Sequence, residues 1–166
     1  MSQTLIRPLD PIADRPAVDA LFRAARDYIL MERDAEPDEA VTDEFFTDAP
    51  PGCDPAASAR LGLFDGGALI AVAEMGFGYP QADDAYLGLM VVSEAARGSG
   101  AGRRLLHHLQ DLARARGMTR MFLAVLEANP RGRAFWEREG FALAVANREV
   151  TLGAKTQIAH RLGKTL

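Results

Sequence analysis

Cysteine, histidine and tryptophan are all scarce in this chain of 166 residues: one Cys, three His and one Trp. A lone Cys53 excludes an internal disulfide framework and fits a reducing compartment. It lies in the turn-rich run Pro50-Pro51-Gly52-Cys53-Asp54-Pro55, with no His nearby in sequence, and reads as a bystander. His107, His108 and His160 show neither ligand nor triad spacing, so no metal is expected. Charge of one sign is scarce too. The formal net charge of −4 gives no field that would recruit nucleic acid. No apolar run is long enough to span a bilayer, and Met1-Ser2-Gln3-Thr4 lacks the basic-then-apolar layout of a signal peptide. The expectation is a cytoplasmic protein without a membrane partner. With 48% apolar and 25% charged residues, the length suits one domain over residues 1–166 built on one core. There is no internal repeat or linker.

What is present is a regular alternation of elements. Residues 4–9 suit a short strand, and Asp14 followed by Pro16 suits a helix start. Val18, Leu21, Phe22, Ala25 and Ile29 share one helical face, and the pattern breaks near Leu30. An acidic run follows (Glu32, Asp34, Glu36, Asp38, Glu39, Asp43), and Val41, Phe45 and Phe46 then suggest a second short helix. Residues 60–64 and 68–77 flank Asp65-Gly66-Gly67 as a β-hairpin, and residues 78–84 form a further turn. Residues 85–93 are almost continuously apolar, which marks a central strand buried on both faces. A glycine-rich turn leads into an amphipathic helix over residues 105–116, stopped by Gly117, and residues 120–126 are again an apolar strand. Two strands joined through a helix should be parallel neighbours. Asn129-Pro130 opens a short helix that ends at Gly140, and residues 141–146 and 155–162 are strand candidates joined around Gly153. The fold class is therefore α/β with a mixed sheet.

The glycine turn carries the chemistry. In Arg97-Gly98-Ser99-Gly100-Ala101-Gly102-Arg103-Arg104, alternate glycines leave the backbone uncovered just where a helix exposes its unpaired N–H groups and positive dipole end. That combination suits phosphate. A P-loop would need Lys then Ser or Thr after the last glycine, and here two arginines follow. A dinucleotide fold needs G-x-G-x-x-G, a different spacing, and normally starts with its glycine turn rather than after antiparallel strands; Glu127 could stand in for its ribose acid, so it remains the weaker alternative. Arg103 and Arg104 stand in the first helical turn, where the dipole disfavours cations by about 0.3–1 kcal/mol each and a polyanion would reverse that cost.

Arg97 to Gly102 resembles the (Arg/Gln)-x-x-Gly-x-(Gly/Ala) pyrophosphate loop of the GNAT (Gcn5-related) N-acetyltransferases. The context is similar as well: strand, loop, helix, strand, then Asn129. Ala134-Phe135-Trp136-Glu137-Arg138-Glu139-Gly140-Phe141 looks like that family's second signature, a short helix ending in Gly-Phe. The resemblance covers nearly the whole chain. It implies a mostly antiparallel sheet of about six to seven strands with a central splayed parallel pair and about four flanking helices. It implies acetyl-coenzyme A as acyl donor, with Arg97, Gly98, Ser99, Gly100, Ala101, Gly102 and Arg103 at the diphosphate. Pantetheine would lie along Met90, Val91 and Val92, with an N–H of Val91 or Val92 at the oxyanion, and with Asn129 and Trp136 nearby. Asn129 reads equally well as an N-cap before Pro130. The resemblance also allows a homodimer.

The reaction implied is direct attack of an amine, from a small molecule or a peptide, on the thioester. A base is needed to free the amine. Glu74, which interrupts the apolar strand Ala71-Val72-Ala73-Glu74-Met75, is the candidate base, and Tyr86 is the candidate for orienting the acceptor. The plain alternative for Glu74 is a solvated strand position. Aligning on Gly140-Phe141 puts Trp136 where the family often has an acidic Tyr; an indole cannot protonate a thiolate. A catalytically silent acyl-coenzyme A-binding regulatory domain is thus the alternative function. The acidic residues between Glu32 and Asp43 would favour a cationic acceptor.

Overall fold

The computed structural model describes residues 3–166; Met1 and Ser2, which begin the stretch read for a leader, lie outside the described residues. The elements in chain order are β1 (Thr4–Pro8), α1 (Arg15–Ala24), α2 (Arg26–Arg33), α3 (Glu39–Thr47), β2 (Ala59–Asp65), β3 (Ala68–Phe77), β4 (Asp84–Val92), α4 (Ala101–Ala115), β5 (Arg120–Leu126), α5 (Pro130–Arg138), β6 (Ala142–Leu152) and β7 (Lys155–Thr165). Seven strands make one sheet in the order β1-β2-β3-β4-β5-β7-β6. The first four form an antiparallel meander, β4 and β5 run parallel, and β7 inserts between β5 and β6.

The helices differ from the sequence expectation in detail. The first expected helix is split at Ala25, whose N–H reaches back to the Phe22 carbonyl at 3.2 Å, and its second half continues to Arg33. Both halves keep the same apolar face, so Val18, Leu21, Phe22, Ala25 and Ile29 are all buried together as the spacing required. Asp34, at φ 54°, ends α2 in the left-handed region. Helix α4 starts at Ala101, four residues before the expected start, because Gly100 at φ 88° ends the turn directly at the helix. Strand β6 runs six residues past its expected end as an exposed edge strand.

Two apolar layers sandwich the sheet. On one face, Leu105, Leu106, Leu109 and Ala113 of α4 pack on Leu61, Leu63, Ala73, Met75, Leu87 and Leu123. Each fully buried leucine contributes about 1.5–3 kcal/mol by leaving water. On the other face, α1 to α3 pack on Val72 and Val91.

The β4–β5 pair is what positions the site. Only four residue pairs join the strands, from Asp84↔Arg120 to Leu87↔Leu123. The closed end is held by an ionic fork: buried Asp84 accepts from Arg120 Nε at 2.9 Å and Nη2 at 3.0 Å. Beyond Leu87, β4 carries a β-bulge against β3. Glu74 pairs with Leu89 and Met75 with Leu87, which leaves Gly88 without a partner. The bulge bends β4 away from β5, and the two strands splay.

Candidate active site

The splay opens a cleft of about 770 Å³ that runs from the glycine turn, between β4 and β5, to α2. At its wide end Gly98 and Gly100 adopt φ 77° and 88°, a region that L side chains rarely enter. The first helical bond of α4 is Arg104 N–H to the Gly100 carbonyl at 3.0 Å. The N–H groups of Ala101, Gly102 and Arg103 precede it and have no helical acceptor. A Cβ on Gly102 would meet Val92, Met90 and Phe135 at 3.5 to 3.6 Å, so this residue forms the floor of the cleft against the β4 strand.

The arginines of the turn divide into three roles. The Arg97 guanidinium is held by Asp27 of α2, at 2.5 and 2.9 Å, and its Nε bonds the Val92 carbonyl at 3.2 Å. Arg97 therefore ties the turn to α2 and does not point a free charge into the cradle. Arg104 turns away to Thr4 Oγ1 at 2.6 Å. Arg103 remains at the rim, two-thirds exposed, 3.6 Å from Glu139. Arg131 and Arg138 also line the cleft. Neither stands out in the sequence, since an arginine on a short helix carries no signal of which face it occupies.

Along the cleft wall, strand alternation decides which backbone groups are free. Ser93 N–H donates to the Ile70 carbonyl of β3 at 2.9 Å, so Val91 turns its N–H to β3 and Met90 and Val92 turn theirs to the open side. The bond from Arg97 Nε to the Val92 carbonyl lies on that open side. Of the two residues expected at the oxyanion, Val92 rather than Val91 has its N–H available. Asn129 lines the cleft and also caps α5, its Oδ1 accepting from Gly132 N–H at 2.9 Å, with its amide nitrogen making no hydrogen bond among the described residues. Trp136 lines the cleft too, wedged edge-on between Phe135 and Phe141 at 4.9 and 5.6 Å between centroids.

At the narrow end, Glu74 is only 6% exposed and thus is not a solvated strand residue. Its carboxylate lies over the bulged Gly88, where a Cβ would collide with it. Burial pushes its pKa up to about 7, and Asp48 adds to the rise. Arg60 and Ser58 oppose it without cancelling it; neither Ser58 Oγ nor Glu74 Oε1 completes a hydrogen bond. A carboxyl group poised near neutrality beside a cleft can take a proton from an ammonium. Gly88 is exposed on this face, and Tyr28 of α2 lines the opposite wall. Burial likewise raises the Tyr28 phenol, and neighbouring Glu32 raises it further. Tyr86 packs edge-on to Tyr79 at 5.1 Å, and burial raises its phenol as well. Cys53 is half-buried beneath Gly76, its thiol raised by burial and by Glu74, which keeps it protonated.

The acidic segment does not form an open negative surface. Glu36 pairs with Arg26, Glu32 and Glu44 with Arg33, Asp34 with Lys155 and Asp43 with Arg15. Asp38 caps α3. These charges hold α2, α3 and the β6–β7 turn together, and they give no basis for preferring a cationic acceptor. Among the described residues no three His, Cys, Asp or Glu side chains converge as a metal set, and no helix is long and apolar enough to cross a membrane.

Residues 19–141 match the model of the acetyltransferase (GNAT) family. No curated protein matches the sequence. Among solved structures, an acetyltransferase from Thermus thermophilus superposes with a TM-score of 0.74 at 24% identity, covering 99% of this chain and 97% of that one. The ribosomal-protein-S18-alanine N-acetyltransferase from Escherichia coli gives 0.71 at 22% identity over 98% and 94%. The PaiA N-acetyltransferase from Thermoplasma acidophilum, in complex with coenzyme A, gives 0.70 at 16% identity over 99% of both chains. At these identities the superpositions establish a shared fold.

Proposed function

We propose, from the premise that this chain belongs to the acetyltransferase (GNAT) family, that it moves the acetyl group of acetyl-coenzyme A directly to the amine of a small molecule or peptide, with Glu74 as the base. Acetyl-coenzyme A-dependent transfer comes with the family; the acceptor and the residue roles are our reading.

The donor fits the cleft on physical grounds. A diphosphate meets the free N–H groups of Ala101, Gly102 and Arg103 at the helix dipole, with Gly98 and Gly100 leaving the approach open. Arg103, Arg131 and Arg138 add positive charge at the rim. The open backbone edge at Met90 and Val92 suits the amides of pantetheine, which would add to β4 as a short strand does.

The single observation that carries the chemistry is the Glu74 carboxylate lying over Gly88 at the head of the splay. An amine seated there loses a proton to Glu74 and attacks the thioester carbonyl, while the free β4 N–H nearest Gly88 on the open edge, that of Met90 in our assignment, receives the oxyanion; Val92, about 13 Å from Gly88 along the strand, is left to the pantetheine. The carbon–sulfur bond then breaks. A thiolate of pKa about 8.5 lies only about 2 kcal/mol from neutral equilibrium, so solvent can protonate it and Trp136 need not. Trp136 acts as a wall of the cleft, and Tyr86 orients the acceptor.

The test is release of free coenzyme A thiol from acetyl-coenzyme A against a library of small amines and peptides, on the wild type and on E74Q. Acceptor-dependent release that falls about 10²- to 10⁴-fold in E74Q is expected. Tight donor binding with no release for any acceptor would instead favour a silent binding domain.

A further inference from the structure

Arg161 is the charged group that neither the fold nor the chemistry above accounts for. It is half-buried on β7, opposite Ala124 of β5. Partly buried arginines are ordinarily paired with a carboxylate. Among the described residues Arg161 makes no ion pair. Its Nη2 donates to Tyr79 Oη at 2.6 Å, its Nε is shut away from solvent without an acceptor, and its plane rests on the rings of Tyr79 and Tyr86 at 5.1 and 5.6 Å. The tyrosines hold the guanidinium in place; with Nε shut away and Nη2 bonded to Tyr79, Nη1 and the second hydrogen of Nη2 are the donors left for a ligand.

Sheet alternation fixes where those donors lie. Leu87, Leu123 and Leu162 turn into the core under α4. The alternate residues Tyr86, Gly88, Ala124 and Arg161 therefore share the other face, the one on which Glu74 lies over Gly88. Gly88 and Ala124 are both exposed and both line the mouth of the cleft. The acceptor thus enters over two residues with almost no side chain, between a carboxyl group on β3 and an arginine on β7. Arg148 of β6 adds a second positive charge within reach of Tyr86, and it has no carboxylate partner among the described residues. Of the acids of the 32–44 segment, Glu32, Asp34, Glu36, Asp43 and Glu44 are tied up in their own pairs.

We propose that the acceptor is a small amino acid-like molecule, carrying an amine and a carboxylate, and that Arg161 binds the carboxylate while the amine faces the thioester. This rests on the acetyl-transfer reading above. The planar fork of Arg161 matches a carboxylate in two-point contact, and the tyrosine pair holds the fork in place before the ligand arrives. A peptide N-terminus lacks the α-carboxylate of a free amino acid, so the carboxylate contact at Arg161 favours the free amino acid over the peptide.

The experiment compares the common α-amino acids, each against its own amide, as acceptors for wild type, R161Q and R161K. The expected result is a kcat/KM about 10- to 100-fold higher for at least one acid than for its amide, the scale of a lost hydrogen bond to a charged group. R161Q brings that ratio to near one, mainly through KM, and R161K recovers part of it. A role confined to supporting Tyr79 and Tyr86 would lower acid and amide alike and overturn the proposal. So would equal use of both by the wild type. A second arm does not need turnover: binding of N-acetyl-amino acids and their amides to the protein–coenzyme A complex, followed by calorimetry. If no acceptor releases thiol yet the acids bind more tightly than the amides and R161Q abolishes the difference, the transfer reading fails and the carboxylate site stands. If thiol is released without any acid preference, the carboxylate site fails and transfer stands.

Discussion

Glu74→Gln tests the site through stability as well as activity. The carboxyl group titrates at about 7 in the folded chain against an ordinary value of 4.5. Burial is the main cause, so the folded state holds the protonated form more readily than the unfolded state does. Below pH 4.5 both states are protonated and nothing is lost. Between 4.5 and 7 the unfolded chain releases the proton first, and stability falls as pH rises. Above 7 the full cost is present, about 3 kcal/mol at 1.36 kcal/mol per pH unit of difference. Glutamine has nearly the shape of the protonated acid and carries no charge in either state. The stability of E74Q relative to wild type should therefore increase by about 2.5 kcal/mol between pH 5 and pH 8, or roughly 5–10 °C in Tm for a chain of this length. Thermal unfolding followed by circular dichroism at the two pH values measures this. In the same variant, acetyl transfer falls while donor binding persists. A Tm difference that does not change with pH, or an E74Q that is less stable than wild type at pH 8, would mean that Glu74 is solvated or paired and would refute its assignment as a buried base.

Gly88→Ala places a methyl group on the Glu74 carboxylate. The carboxylate end is flexible and can move aside, so Tm should change by less than about 3 °C, while activity falls about tenfold or more through lost geometry and the apparent pKa of the rate profile drops below 7. Gly100→Ala forces a left-handed alanine at φ 88° with no steric neighbour, and should cost about 1–2 kcal/mol and weaken acetyl-coenzyme A binding in calorimetry. Gly102→Ala, whose Cβ would sit in ordinary contact, should leave both within a factor of about two. Arg120→Met leaves Asp84 fully buried with no countercharge and should destabilise the fold by about 3–5 kcal/mol in urea unfolding. Loss of less than about 1 kcal/mol would show that the ionic fork does not hold the closed end of the splay.

The parts legible in the sequence are those set by local rules. Strand β4 reads from its apolar run, and α4 from its leucine spacing. The glycine turn reads from positions where a side chain cannot follow the backbone, as Gly98 and Gly100 do. The parts that were not legible depend on pairing between distant residues. Asp84 reads as a turn residue, yet Arg120, 36 residues away, makes it the anchor of the parallel pair. The acids after Glu32 read as an open negative surface, yet Arg26, Arg33, Lys155 and Arg15 neutralise them from four different places. Arg161 gave no signal at all, because its meaning lies in what it lacks, a carboxylate partner, and absence of a contact is visible only in three dimensions.

One irregularity links the separate parts of the site. Had β4 paired regularly with β3, Gly88 would sit in the ladder and β4 would continue alongside β5 past Leu87. The extra residue at Gly88 breaks the parallel pairing, which frees the backbone edge of Met90 and Val92 for the donor. The same missing side chain makes room for the Glu74 carboxylate. Any residue larger than glycine would keep the bulge but push the carboxylate away from it. The donor edge and the base thus depend on position 88 in different ways. Backbone geometry opens the cleft, and the absence of a Cβ places the acid. The two can be separated experimentally: a Gly88→Ala protein that still binds acetyl-coenzyme A with wild-type affinity, but no longer shows the pH dependence set by Glu74, would show that the cleft and the base are independent uses of one residue. Loss of both together would mean instead that the splay itself collapses without glycine.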